Sequence, residues 1–229
     1  RTWLTAIATL GALIAAVAAA GAVWRLQLNA GGAALVTLSL ATLGLAPRLS
    51  MVLSRTGPST PSIDHFEDTT ADPAAPGAGL CHRTLTGLVV GSSIAAALGA
   101  LSVAIGEIRD TGSALRDTAF TAVVALVLLL RVRTHVDPTR RGGLAATAML
   151  TATAGFAAAT VSAPAHVHII SALATTVGAA ALSCLVRPTV SPIVLRTVEV
   201  LEYVALAAVV PMACWVGGIY TLARGMNLI

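Results

Sequence analysis

The chain contains no lysine, and no acid, arginine or histidine interrupts the middle of any of its seven long apolar runs. Charged residues make up 10% of the 229 positions, against the roughly 25–30% expected on a soluble surface, so a water-soluble fold is excluded. The groups that carry protons or ions across a bilayer are missing from the places where they would sit. No Ser/His/Asp set, phosphate-binding glycine loop or intramembrane carboxylate dyad is present. The expectation is therefore a protein that is not an enzyme and holds no cofactor or metal. Cys81, Cys184 and Cys214 are odd in number and unpaired in spacing, which suggests neither a disulfide framework nor a thiolate metal site. Small buried hydrophobes are the role that fits them.

What is present is an all-α pattern, a polytopic transmembrane helix bundle of about seven spans. The formal charge of +4 comes from arginines in loops or at run ends, which marks orientation in a membrane rather than nucleic-acid binding. The first span, residues 3–24, is framed by Trp3 and Trp24, about 31 Å apart along a helix and close to the ~30 Å hydrocarbon thickness. Within it Ala8, Ala12, Ala16 and Ala20 form a stripe along which another helix could approach.

The other spans read as residues 31–53, 85–105, 115–130, 143–161, 169–186 and 193–222. The third carries a small-residue pair, Gly87 and Gly91. Asp137-Pro138 places a capping side chain before a residue with preset helical φ, so a helix begins there. Ser191-Pro192 repeats that signal. A last helix unbroken over residues 193–222 would be about 44 Å long, with Arg196, Glu199 and Glu202 on its protruding turns, either solvated or facing a partner. Pro211 should kink it.

Arg48, Arg55, Arg83, Arg131, Arg133, Arg140, Arg141, Arg187 and Arg196 fall at one set of loop ends, and Arg25, Arg109, Arg116 and Arg224 at the other. The richer side should be cytoplasmic, so the chain starts inside and ends outside. Arg1 in place of Met suggests a piece of a longer protein.

Residues 54–84 read as a cytoplasmic tether, because Pro58 to Pro61 and Pro73 to Pro76 argue against a packed domain. Asp64, His65, Glu67 and Asp68 around Phe66 inside it are a docking peptide or a solvated acidic stretch, and an extended chain argues against the third reading, a metal site. Arg131, Arg133, Arg140 and Arg141 form the strongest basic cluster, with lipid headgroups or a protein as partner. His166 and His168 are too few for a metal site. Glu107, Arg109, Asp110, Arg116 and Asp117 read as a solvated outer turn with local ion pairs.

From Ser191 through Arg196, Glu199, Glu202 and Tyr203 to Pro211 and Trp215, the last span closely resembles the C-terminal end of the EccD family. That family supplies the multispanning core subunit of mycobacterial type VII (ESX) secretion systems. Ala46-Pro47-Arg48-Leu49, His82-Arg83 with Leu85-Thr86-Gly87-Leu88, and Asp137 to Arg141 agree in the same order. A GC-rich, actinobacterial codon bias fits the Arg-only basic content.

The resemblance implies a cytosolic ubiquitin-like domain and eleven spans, of which this chain would hold the last seven. It further implies a second EccD copy across a wide lipid-facing cavity, with single-span EccB, the ATPase EccC and EccE as partners. The expected function is a structural scaffold in the bacterial inner membrane. A secondary transporter working alone, with backbone at Pro211, Gly217 and Gly218 as its site, is the rival reading.

Overall fold

The computed structural model describes residues 2–24, 27–53, 76–109, 114–135, 137–186, 192–218 and 220. Seven helices follow one another: α1 Thr2–Trp24, α2 Leu28–Leu53, α3 Pro76–Arg109, α4 Ala114–Arg131, α5 Pro138–Ser162, α6 Val167–Val186 and α7 Pro192–Val216. Short 3₁₀ turns at Val132–Thr134 and Pro164–His166 lead into α5 and α6. The described residues are nearly all helical, with no strand among them, as the apolar runs require: in hydrocarbon each backbone group must be satisfied within its own segment.

Among the described residues, α1, α2, α3, α5 and α7 are long and apolar enough to cross a membrane. The sequence reading expected seven such spans. α4 falls outside this set with Arg116 and Asp117 in its first turn and Arg131 at its end, and its charged ends prove central to the structure.

α3 is the hub, packed on α2, α1, α5 and α4, while α4 joins it to α7 and to α5. Close approach comes from small residues. A Cβ added at Gly32 would stand 2.7 Å from Gly99 O, and one at Gly99 would stand 2.7 Å from Gly32 O, so α2 and α3 cross backbone to backbone. Ala95, Ala96 and Ala100 are fully buried on α3. Around them Val36, Val103, Phe120, Val124, Leu128 and Leu144 form the core. Buried hydroxyls do not compete with this packing, because each returns to its own helix. Ser92 donates to Leu88 O at 2.6 Å, Thr121 to Asp117 O at 2.7 Å and Thr151 to Thr147 O at 2.8 Å. In an apolar medium this removes an unpaired donor without needing a neighbour.

Two boundaries differ from the sequence reading. α3 begins at Pro76, inside the stretch read as tether up to residue 84. Proline at a first helical position lacks only a donor that is unsatisfied there anyway, so Pro76 opens the helix instead of preventing it. α3 is then about 50 Å long and projects beyond the hydrocarbon core. α7 ends at Val216 rather than near residue 222, with Gly218 in the left-handed region at φ 72°. Only glycine enters that conformation without strain, and it closes the helix. Pro211 lies inside α7 on an exposed face. The acidic segment with Asp64, Phe66, Glu67 and Asp68, together with Arg25, Asp110, Arg187 and Ser191, lies outside the described residues.

Candidate functional site

Two polar belts, one at each end of the bundle, carry nearly all the described charge. At the arginine-rich end, Asp137 caps α5 by accepting from Thr139 N at 3.0 Å, as its place before Pro138 predicts. One turn later Arg140 is buried. Its Nε donates to Thr86 Oγ1 at 2.9 Å, and its Nη2 donates to His82 O at 3.0 Å and meets His82 Nδ1 at the same distance. Asp137 lies 3.4 Å from both Arg140 Nε and His82 Nε2. Arg140 therefore staples α5 to α3. The sequence reading placed it in a cluster facing lipid headgroups or a protein; the turn of α5 carries it inward while Arg141 stays exposed.

Arg131 is also used internally. Its Nε stands 3.3 Å from Glu202 Oε1, with 18% and 16% of the two side chains exposed, so α4 and α7 are joined by a mostly desolvated ion pair. Of the basic cluster, Arg133 is half-buried and Arg141 exposed, and of the α7 stripe, Arg196 and Glu199 are exposed. An open cleft of about 580 Å³ between these elements is lined by His82, Thr134, His135, Asp137, Pro138 and Arg140.

Burial, then the guanidinium groups of Arg140 and Arg131, hold the His135 imidazole below its ordinary range against a weaker pull from Asp137. Its Nε2 is buried without a hydrogen-bond partner among the described residues. The unfolded chain then binds more protons than the folded one, so stability is lost as pH falls below about 6.5, the ordinary imidazole value. His135→Gln is expected to flatten the decline in unfolding midpoint between about pH 7 and pH 5; an unchanged decline would place its origin elsewhere.

The opposite end corrects the sequence reading most. Glu107 and Asp117, expected in a solvated turn, are fully buried. Asp117 accepts from Asn29 Nδ2 at 3.0 Å and from Arg116 Nε at 2.9 Å, and Arg116 Nη1 donates to Trp215 O at 3.4 Å. Thr118 Oγ1 donates to Glu107 Oε1. A Cβ at Gly106 would overlap the Asn29 side chain, so that glycine makes its room. This belt fastens the ends of α2, α3, α4 and α7. Nothing local flagged Asn29, because its partner is 88 positions away.

The helix faces behave differently. α1 rests on α3 through Ala6, Leu13 and the two glycines; a Cβ at Gly91 would stand 2.6 Å from Ala6 O, and one at Gly87 would collide with Thr5. Ala8, Ala12 and Ala16 point away from the bundle, with Ala20 half-buried. Trp3, Leu4, Ile7 and Val23 lie open on the same helix. α6 leans mainly on α5, and its leading His168, like His166 before it, is exposed. Cys214 is a free, half-buried thiol in α7. Among the described residues no group of three or more His, Cys, Asp or Glu side chains is placed to hold a metal ion.

Comparison with known proteins bears on the fold and the family. The chain is 29% identical over 232 aligned positions to the ESX-4 secretion system protein eccD4 of Mycobacterium tuberculosis, in strains CDC 1551 / Oshkosh and H37Rv, covering 98% of this chain and 50% of the relative. It spans about half the length of these curated relatives. Protomer 1 of the ESX-3 core complex shares the fold, with a TM-score of 0.69 at 19% identity over 95% of this chain and 51% of that one. The EccD-like transmembrane domain matches residues 1–226, and the chain accordingly belongs to the EccD family of multi-pass membrane proteins.

Proposed function

We propose that this chain is the membrane-embedded part of a non-enzymatic scaffold subunit in a type VII (ESX) secretion complex. The observation that carries the reading is the division of labour on its surface. Charged side chains fasten helices to one another at the two ends, while wide apolar faces on α1 and α7 stay open. A frame of this kind holds neighbours in place. Its partners would be a second EccD copy, EccB, the ATPase EccC, EccE and membrane lipids, with no nucleic acid. The arginine-rich end would face the cytoplasm of a bacterial inner membrane. All seven helices would then cross it, with the Ala8, Ala12, Ala16 and Ala20 face of α1 available to another helix. A stand-alone transporter is less well supported, since the described polar clusters sit at helix ends as fasteners and leave no free pair at mid-span.

The segment with Asp64, Phe66, Glu67 and Asp68 is proposed as a docking tether. Deleting residues 59–74 spares α3, which starts at Pro76. The expected result is normal membrane insertion with loss of partner subunits from the purified complex. Full assembly after that deletion would remove docking from the tether.

A further inference from the structure

A second cleft, of about 340 Å³, opens between the Val132–Thr134 turn and the first turns of α7. Arg133 from the turn and Glu199 from α7 both line it, together with Leu130, Thr134, Val198 and Tyr203. Glu202, which also borders the cleft, is already neutralised by Arg131. Among the described residues neither Arg133 nor Glu199 belongs to an ion pair. One cleft therefore presents a free cation and a free anion that do not pair with each other.

The level of the cleft is set by α7, whose apolar span runs Arg196–Val216. Glu199 and Tyr203 occupy its opening turns, at the headgroup depth where tyrosine is favoured. Val200, Tyr203, Ala207 and Val210 are all exposed and recur at helical spacing. They make one apolar strip leading from the cleft toward the membrane interior.

We propose that this cleft binds the headgroup of a zwitterionic, ethanolamine-type phospholipid. Arg133 holds the phosphate, Glu199 holds the ammonium, and an acyl chain lies along the Val200, Tyr203, Ala207 and Val210 strip. Charge complementarity selects this occupant. A singly anionic headgroup would satisfy Arg133 but bring its charge against Glu199, whereas a zwitterion pairs both side chains with charge-assisted hydrogen bonds. The proposal rests on the membrane placement of α7 and is independent of which subunits assemble around it.

The test uses the full-length protein in nanodiscs of equal parts phosphatidylethanolamine and phosphatidylglycerol with identical acyl chains. The lipid retained after mild detergent extraction is weighed by native mass spectrometry. The expected result is a roughly tenfold preference for the ethanolamine lipid, the size of one added charge-assisted hydrogen bond. Glu199→Gln should abolish that preference, Arg133→Gln, which removes the ligand of the phosphate common to both lipids, should lower retention of both, and Arg141→Gln, an exposed arginine outside the cleft, should change neither. Equal retention of both lipids by the parent protein, a preference for phosphatidylglycerol, an unchanged preference in Glu199→Gln, or unchanged retention in Arg133→Gln would overturn the proposal. Should Arg133→Gln fail to fold, Glu199→Gln on the exposed face of α7 decides alone. Loss of the preference with the subunit composition unchanged separates this site from the scaffold role.

Discussion

Arg140→Ala should lower the stability of the detergent-solubilised protein by about 3 kcal/mol, the lower end of what removing one partner of a buried ion pair costs. The loss follows from what is left behind. Asp137 would retain its cap to Thr139 N but lose its cation, and Thr86 Oγ1 and His82 O would lose their α5 donor. Each stranded group pays part of the desolvation cost that the guanidinium now offsets. Arg141→Ala, one residue on and exposed, should change stability by no more than about 0.5 kcal/mol. The measurement is the unfolding midpoint of both variants under one detergent and pH. Equal effects of the two substitutions would show that Arg140 does not fasten α5 to α3.

The larger effect is expected at the crossing of α2 and α3. Gly99→Leu should cost about 3 kcal/mol or more, at or above the usual range for overpacking. Its Cβ alone would lie 2.7 Å from Gly32 O and 3.0 Å from Val36 N. Both are backbone atoms, so no rotamer change relieves the clash, and the helices must separate. Separation would also strip contacts from Val36 and Val103, both fully buried. Gly11→Leu is the matched control, because a Cβ there meets nothing within 4 Å, and it should fold like the parent chain. Size-exclusion profiles and unfolding midpoints of the isolated protein report both. A Gly99→Leu protein as stable as the parent would mean that α2 and α3 do not meet backbone to backbone.

The same residues show what could be read from sequence. The helices themselves were legible because a bilayer leaves apolar segments of this length little alternative. The start of α5 was legible because an Asp-Pro cap is a local signal, complete within three residues. Pro76 was misread because the composition around it, Pro-Gly-Ala-Gly, suits a loop and a helix start equally. Arg140 and Arg141 look alike in sequence, yet one turns inward and the other outward, since successive residues on a helix differ by about 100°. Which face of α5 meets α3 is decided by Thr86 and His82, more than fifty positions earlier. Glu107 and Asp117 were read as solvated for the same reason. Charges at helix ends are usually solvated, and the Asn29 side chain and Gly106 notch that bury them are separated widely along the chain. Arg131 with Glu202 repeats the lesson: a charged stripe on α7 was visible, but its inward member became clear only once α4 lay beside it.

The scaffold role is tested most directly by the mass and subunit composition of what co-purifies with the tagged full-length protein after gentle extraction from its own membranes. The expected result is a large complex holding a second copy of the protein, an ATPase and single-span subunits. A lone monomer or dimer, recovered under conditions that keep another membrane complex intact, would contradict it.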